Sequence, residues 1–386
     1  MSASCHDWQT KNLQRTDDPE TRLSGQGVRV VSMQRPTNIH LPELARTARS
    51  ILLVLGMLFT ARYGVAQQVP LISGGAGLVS TTNGGSRSYL PIIQPLLAAP
   101  IGSHFLFETR GNLVESITPD GHGGLNHARS FGLTYLQGDI LASPHVTIVG
   151  GSFLIPFGTF NERLSTIWVN NIQGSPLISS LGTMSTGTGV GGMLRGSAVS
   201  TRKFSLDYAG YFSAHSANKK FNSMHSAGGR VSMYLPESRL EIGFSYNRSL
   251  EGIPAAHENF RGAHVWWEPK DTAFRLRSEF ARGHHAQGYW IQADYRTQAF
   301  GGLDSWVGRI EPVFRMQQTF RRDTDHSDGL PLVNTQRADF GLDYNLPHET
   351  RILAGYSRRF APNNGNENIW GAEITYRFLF PVWKGK

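Results

Sequence analysis

From Trp370 to Phe380 the chain alternates without a break. Trp370, Ala372, Ile374, Tyr376, Phe378 and Phe380 are interleaved with Gly371, Glu373, Thr375, Arg377 and Leu379. Side chains of an extended strand point to opposite faces with period two, so one face is apolar and aromatic and the other mostly small, polar or charged. The same register recurs back to about Ser103. In residues 239–247, Leu240, Ile242, Phe244 and Tyr246 oppose Arg239, Glu241, Ser245 and Asn247; in residues 337–346, Phe340, Leu342 and Tyr344 oppose Arg337, Asp339 and Asp343. A charge on a lipid-facing position costs roughly 2–4 kcal/mol at the bilayer midplane, so the charged face belongs to a lumen. The pattern predicts an all-β chain whose residues 103–386 form a transmembrane, up-and-down antiparallel β-barrel.

Link lengths point the same way. Short links fall at 142–144, 200–202, 236–238, 269–271, 300–303 and 347–349. Longer ones fall at 119–128, 159–188, 214–225, 250–258, 320–332 and 362–367, with a brief one at 283–286. The two classes alternate, as expected where short turns face the periplasm and longer loops the outside. A two-sheet sandwich explains the alternating faces but not this sorting. The count is fourteen strands, or sixteen if a hidden pair lies in residues 71–128.

Composition fits. Only 17% of the 386 residues are charged, mean hydropathy is −0.28, and no run reaches the ~20 apolar residues of a spanning helix. A barrel dilutes each lipid-facing residue with a lumen-facing neighbour, so low hydropathy is expected of it. Arg46 and Arg49 precede the apolar run 51–59 and then Gly64-Val65-Ala66, which reads as a secretory signal. Residues 1–66 are therefore expected to be an N-terminal extension and signal peptide. The only cysteine, Cys5, lies within them. Residues 67–102 are dense in Gly and Pro, which break helix and strand alike; they read as a periplasmic lead-in or a segment folded into the barrel mouth.

Arginine dominates the cations, and Arg239, Arg275, Arg277, Arg309, Arg315, Arg337 and Arg377 take inward positions, as candidate pore-lining residues. Guanidinium is permanently charged and bidentate, so such rows select anions or, paired with inward carboxylates such as Glu279, Asp294, Glu311 and Asp339, brace the wall. One link is unlike the rest: after Pro156-Phe157-Gly158 about thirty residues follow that include Ile167, Trp168, Val169, Ile172, Leu177 and Ile178. So apolar a loop packs against something. It either folds into the barrel, with Glu162 and Arg163 as constriction candidates, or packs on a neighbouring subunit.

No catalytic set, metal site or cofactor is expected. His284-His285 is a loop pair, the calcium-loop-like run at Asp323 has Asn334 where a Glu is required, and Gly187-Thr-Gly-Val-Gly-Gly192 lacks the Lys-Ser/Thr of a phosphate loop. The modest positive charge is spread along the chain, which argues against a nucleic-acid partner.

Strand-end Phe-Leu-x-Pro-Phe-Gly-x-Phe-Asn-Glu-Arg-Leu, residues 153–164, resembles a pattern in porin-like outer-membrane proteins of Gram-negative bacteria, in the broad phosphate-selective-porin-like group. The closing 376–383 resembles the aromatic last strand that such proteins present to the barrel-assembly machinery. The resemblance implies a porin-like barrel and passive diffusion of small solutes; the expected place is the cell outer membrane, in contact with outer-membrane lipid and lipopolysaccharide, with an anion preference and a homo-oligomer left open. It departs from the phosphate-selective members in having few lysines. The alternative is a closed or plugged barrel acting as adhesin, receptor or structural protein. On either reading the protein should fractionate with outer membranes and show heat-modifiable gel mobility; recovery as a soluble periplasmic protein would contradict the barrel.

Overall fold

A computed structural model describes residues 69–381 apart from 181–186, 217–220, 222, 253–256, 303, 324–329 and 363–364. The expected signal peptide and the terminal Lys384-Gly385-Lys386 lie outside the described residues. Sixteen antiparallel strands close on themselves, each pairing with its sequence neighbours and β1 (Leu71–Asn83) with β16 (Gly365–Pro381). The closing register runs from Leu71 opposite Pro381 to Asn83 opposite Ile369. Closure is what lipid demands, because an open sheet edge would leave backbone N–H and C=O groups without partners.

The surface is inverted relative to a water-soluble protein. Phe131 is 75% exposed, Phe244 67% and Trp370 60%, whereas Arg315, Asp339 and Gln317 are almost completely buried. The faces follow the alternation read from the sequence: Phe314 and Met316 point outward on β13 (Ile310–Arg321), Arg315 and Gln317 inward. A two-sheet sandwich would bury the apolar face. This molecule presents it to lipid.

The count is sixteen, the larger of the two expected numbers, and the additional pair comes from the segment expected to be a lead-in or mouth piece. Residues 71–101 are instead the first hairpin of the wall, β1 and β2 (Ser86–Ile101), joined by Gly84-Gly85 at positive φ. The register of β2 to β1 is unbroken, but its register to β3 (Phe105–Pro119) skips 90–91 and 94–95. Pro91 and Pro95 have no N–H to donate, and the ladder is interrupted on that one side only.

Two further expectations need correction. The link between β12 (Ala286–Tyr295) and β13 is not a four-residue turn at 300–303; it spans residues 296–309 and holds short helical turns at Gln298–Gly301 and Val307–Arg309. The parity of short and long links therefore fails here, and on the other side the links at 84–85, 283–285 and 362–364 are as short as turns. In β4 (Leu125–Ser143) a bulge leaves Thr134 without an opposite residue: Arg110 faces Tyr135 while Gly111 faces Leu133. The bulge shifts the pleat by one, so Phe131 and Leu133 face lipid before it and Tyr135, Gln137 and Asp139 face the lumen after it. Deleting residues 71–101 should abolish closure and heat-modifiable mobility. A lead-in would be dispensable for both.

Candidate functional site

The lumen is shaped by the long link between β5 (Val146–Leu154) and β6 (Thr188–Ser200). Its described part, residues 155–180, turns into the barrel at Gly158, whose φ of +63° suits glycine. A Cβ there would also fall 1.4 Å from an oxygen of Glu279. Glu279, on β11 (Phe274–Arg282), accepts from the Thr159 and Phe160 N–H groups, both at 3.4 Å, and the Gly158 N–H donates to Ser245 Oγ at 3.0 Å.

Beyond this anchor the loop has an apolar core inside the barrel. Phe157, Phe160, Leu164 and Ile178 pack with the inward-facing Phe260, Ala281, Ala286 and Trp290. Phe160 meets the Trp290 ring edge-on at 6.4 Å. Each such large side chain contributes about 1.5–3 kcal/mol when removed from water. Inward-facing wall glycines supply the room: Trp168 covers Gly75, Ile167 covers Gly77, Ile178 covers Gly288 and Gln173 covers Gly371.

Arginines of the wall grip the loop's main chain. Arg230 donates to the Gly158 carbonyl (2.6 Å), Arg351 to those of Ile167 (3.0 Å) and Asn170 (2.5 Å), Arg315 to Gly174 (2.8 Å) and Arg337 to Ser175 (2.7 Å). Amides reinforce the path, with Gln94 Oε1 accepting from the Ile167 N–H at 3.0 Å and Gln317 Oε1 from that of Leu177 at 2.6 Å. The loop thus visits the wall from β8 (Ser226–Leu235) to β11, crosses to β1–β2 and continues past β13, β14 (Thr335–Leu346) and β15 (Thr350–Ala361).

The arginines expected to line a pore separate into three groups. Arg315 and Arg337 are bound to Asp339 and to the loop. Arg275 pairs with Asp294 at 2.7 Å and with Glu311, and Arg277 lies 4.4 Å over the Trp266 ring beside Asp294. Three sit at the barrel's end rather than in its lumen. Arg239 occupies the turn between β8 and β9 (Leu240–Ser249) with φ +50°, Arg309 the helical turn before β13, and Arg377 the exposed rim near Glu349 at 3.8 Å. Inward placement of Arg239 and Arg309 is therefore corrected: a strand register extended through a turn assigns faces that the turn does not have. The constriction candidates do lie on the inward loop, Glu162 paired with Arg230 (2.5 Å) and Arg163 with both Glu241 oxygens (2.7 and 3.0 Å).

The space left free lies on the opposite wall. A cavity of about 300 Å³ separates the loop from β2–β6, bordered by Glu108, Arg110, Tyr135, Glu162, Arg163 and Arg195. Arg195 pairs with Asp139 at 2.5 Å, and Arg110 stacks 5.3 Å over the Tyr135 ring. The sequence reading named Glu162 and Arg163 of this group but missed Glu108, Arg110, Tyr135 and Arg195. Glu108 and Arg110 do alternate with Phe107 and Thr109, a legible signal, but the β4 bulge hides the partner strand. A larger recess of about 430 Å³, around Arg261, Arg282, His284 and Arg322, opens on the outer rim and lies off the lumen.

No protein-family model matches the chain, and no curated protein sequence matches it. Among solved structures it is similar to an anion-selective porin from Comamonas acidovorans, with a TM-score of 0.51 at 10% identity over 81% of this chain and 99% of that one. It is also similar to OmpF of Salmonella typhi in complex with daunomycin, with a TM-score of 0.55 at 12% identity over 80% and 97%. At such identities the likeness is one of fold, that of an outer-membrane porin barrel.

Substituting Gly75→Leu should drive the side chain into Trp168 and destabilise the assembled form by about 1–3 kcal/mol, lowering the temperature at which heat-modifiable mobility is lost. Gly132→Ala, whose Cβ meets nothing within 4 Å, should leave it unchanged.

Proposed function

We propose that the protein is an outer-membrane channel for passive diffusion of small solutes, narrowed by its own inward loop. The observation that carries this reading is the seat of residues 155–180 inside the barrel, which leaves a charged, water-accessible space along β2–β6. Solutes pass where the loop does not touch the wall.

Selectivity follows from how the lumen charges are disposed. Arg163, Arg195, Arg230, Arg275, Arg315 and Arg337 each have a carboxylate partner, so they add little net field. The phosphate selectivity that the family resemblance suggests needs unpaired cations in series, and this lumen ties most of them to the wall. We assign at most a weak anion preference, carried by Arg110 and offset by Glu108. Such a preference fades as the Debye length shortens from ~10 Å at 0.1 M salt to ~3 Å at 1 M.

The extent of loop–wall bonding also supports a second reading, a closed barrel whose outer loops are the working surface. Single-channel recording in planar bilayers separates the two. A channel gives steady KCl conductance with a reversal potential near zero, and deleting residues 160–178 should raise that conductance severalfold. Silence of the wild type together with conduction by the deletion variant would establish the plugged barrel. Membership in homo-oligomers and insertion by the barrel-assembly machinery belong to the same proposal; crosslinking in native membranes tests the first and depletion of the machinery the second.

A further inference from the structure

Arg110 is the anomaly of the lumen. It is 4% exposed and, among the described residues, makes no hydrogen bond or ion pair; its Nε is buried without a partner. Its guanidinium lies over the Tyr135 ring, and it borders the 300 Å³ cavity. A buried guanidinium without a counter-charge is costly, and the neighbouring arginines show how the molecule avoids that cost: Arg195 has Asp139, Arg163 has Glu241 and Arg230 has Glu162.

Two positions before it, facing the same cavity, stands a carboxylate in the converse condition. Glu108 has no cationic partner within salt-bridge distance among the described residues; its hydrogen bond comes from the neutral Gln137 amide at 3.3 Å. That amide also serves Asp139 at 2.9 Å, and Asp139 is neutralised by Arg195. What remains is one free cation and one free anion on the same face of β3, about 6.6 Å apart along the strand. They do not reach each other. Leu96, Leu154, Trp168, Val169 and Met193 give this cavity an apolar side, while Glu162, Arg163 and Arg195, which complete its charged border, are each held by a partner of their own.

We propose that this cavity recognises a zwitterionic α-amino acid with an apolar side chain. Its carboxylate accepts hydrogen bonds from the Arg110 guanidinium, its ammonium donates to Glu108, and its side chain lies against Trp168 and Leu154. A free carboxylic acid leaves Glu108 unpaired, a free amine leaves Arg110 unpaired, and glycine forfeits the apolar contact. Each charged group left unpaired in a buried site is a penalty, which is how polar sites reject analogues. The inference rests on the channel reading for passage but not for binding.

The test uses the full-length folded protein and L-leucine as probe, beside 4-methylpentanoate, which lacks the ammonium, and 3-methylbutylamine, which lacks the carboxylate. Calorimetric titration in detergent should show leucine binding about tenfold or more tighter than either analogue. Arg110→Gln and Glu108→Gln should each weaken leucine by a similar factor, and Glu108→Gln should leave 4-methylpentanoate unaffected. Arg110→Lys, which keeps the charge, should retain most of the affinity. Heat-modifiable mobility reports that each variant is folded. Leucine bound no better than the two analogues by the wild type, or equally by wild type and Glu108→Gln, would overturn the proposal. KCl conductance measured on the same preparations keeps the two readings apart. Conductance without leucine preference removes the recognition site alone, and leucine preference without conductance removes the channel and leaves a receptor.

Discussion

A sheet in lipid has to end nowhere. Every N–H and C=O of a lipid-exposed strand needs a partner within the protein, and only a ring of strands provides one for the first and the last. Much of what is unusual in this chain follows from the pairing of β1 with β16. It explains why a segment rich in Gly and Pro is nevertheless a strand, since the ring is incomplete without it. It also explains why polar residues are buried and large apolar ones exposed: the enclosed side of the ring is the only place in the membrane where charge is affordable.

Closure creates a second difficulty, because sixteen strands enclose more space than their inward side chains fill. The β5–β6 loop occupies it. Its hydrophobic contacts with Phe260 and Trp290 make the nearest thing to a conventional core in this protein, and they sit inside the barrel. The lumen arginines then acquire a structural role. Arg315 and Arg337 satisfy Asp339 on one side and loop carbonyls on the other, so the ion pairs of the wall and the position of the loop are one network. Such buried charges are held by geometry on every side, and removal of one member leaves another unpaired.

Strands with an unbroken pleat were readable from sequence. The alternation in β9, β11, β13, β14 and β16 assigns faces correctly, and the apolar content of residues 155–180 announces a packed loop. Reading failed where the local signal and the long-range constraint diverge. Pro91, Pro95 and the glycines of β1 look like strand breakers, yet the prolines face one interrupted ladder and Gly75 and Gly77 lie beneath Trp168 and Ile167. The bulge at Thr134 reverses the parity of β4 midway, so no single register describes that strand. Arg239 continues a strand-like pattern into a turn. The candidate site on β3 and β4 was lost for the same reason: its residues are brought together by a pleat reversal that alternation alone does not encode.

Four wall arginines grip the loop by its carbonyls. Arg230, Arg315, Arg337 and Arg351 bond to the main chain of Gly158, Gly174, Ser175, Ile167 and Asn170, and every residue type carries that acceptor. The course of the loop is thereby uncoupled from the identity of the side chains it turns toward the free space. A substitution at Val169 alters what a solute meets without withdrawing a single one of these bonds. The barrel acts as a fixed mount with an exchangeable insert, so the aperture can be rewritten while its frame stays in place.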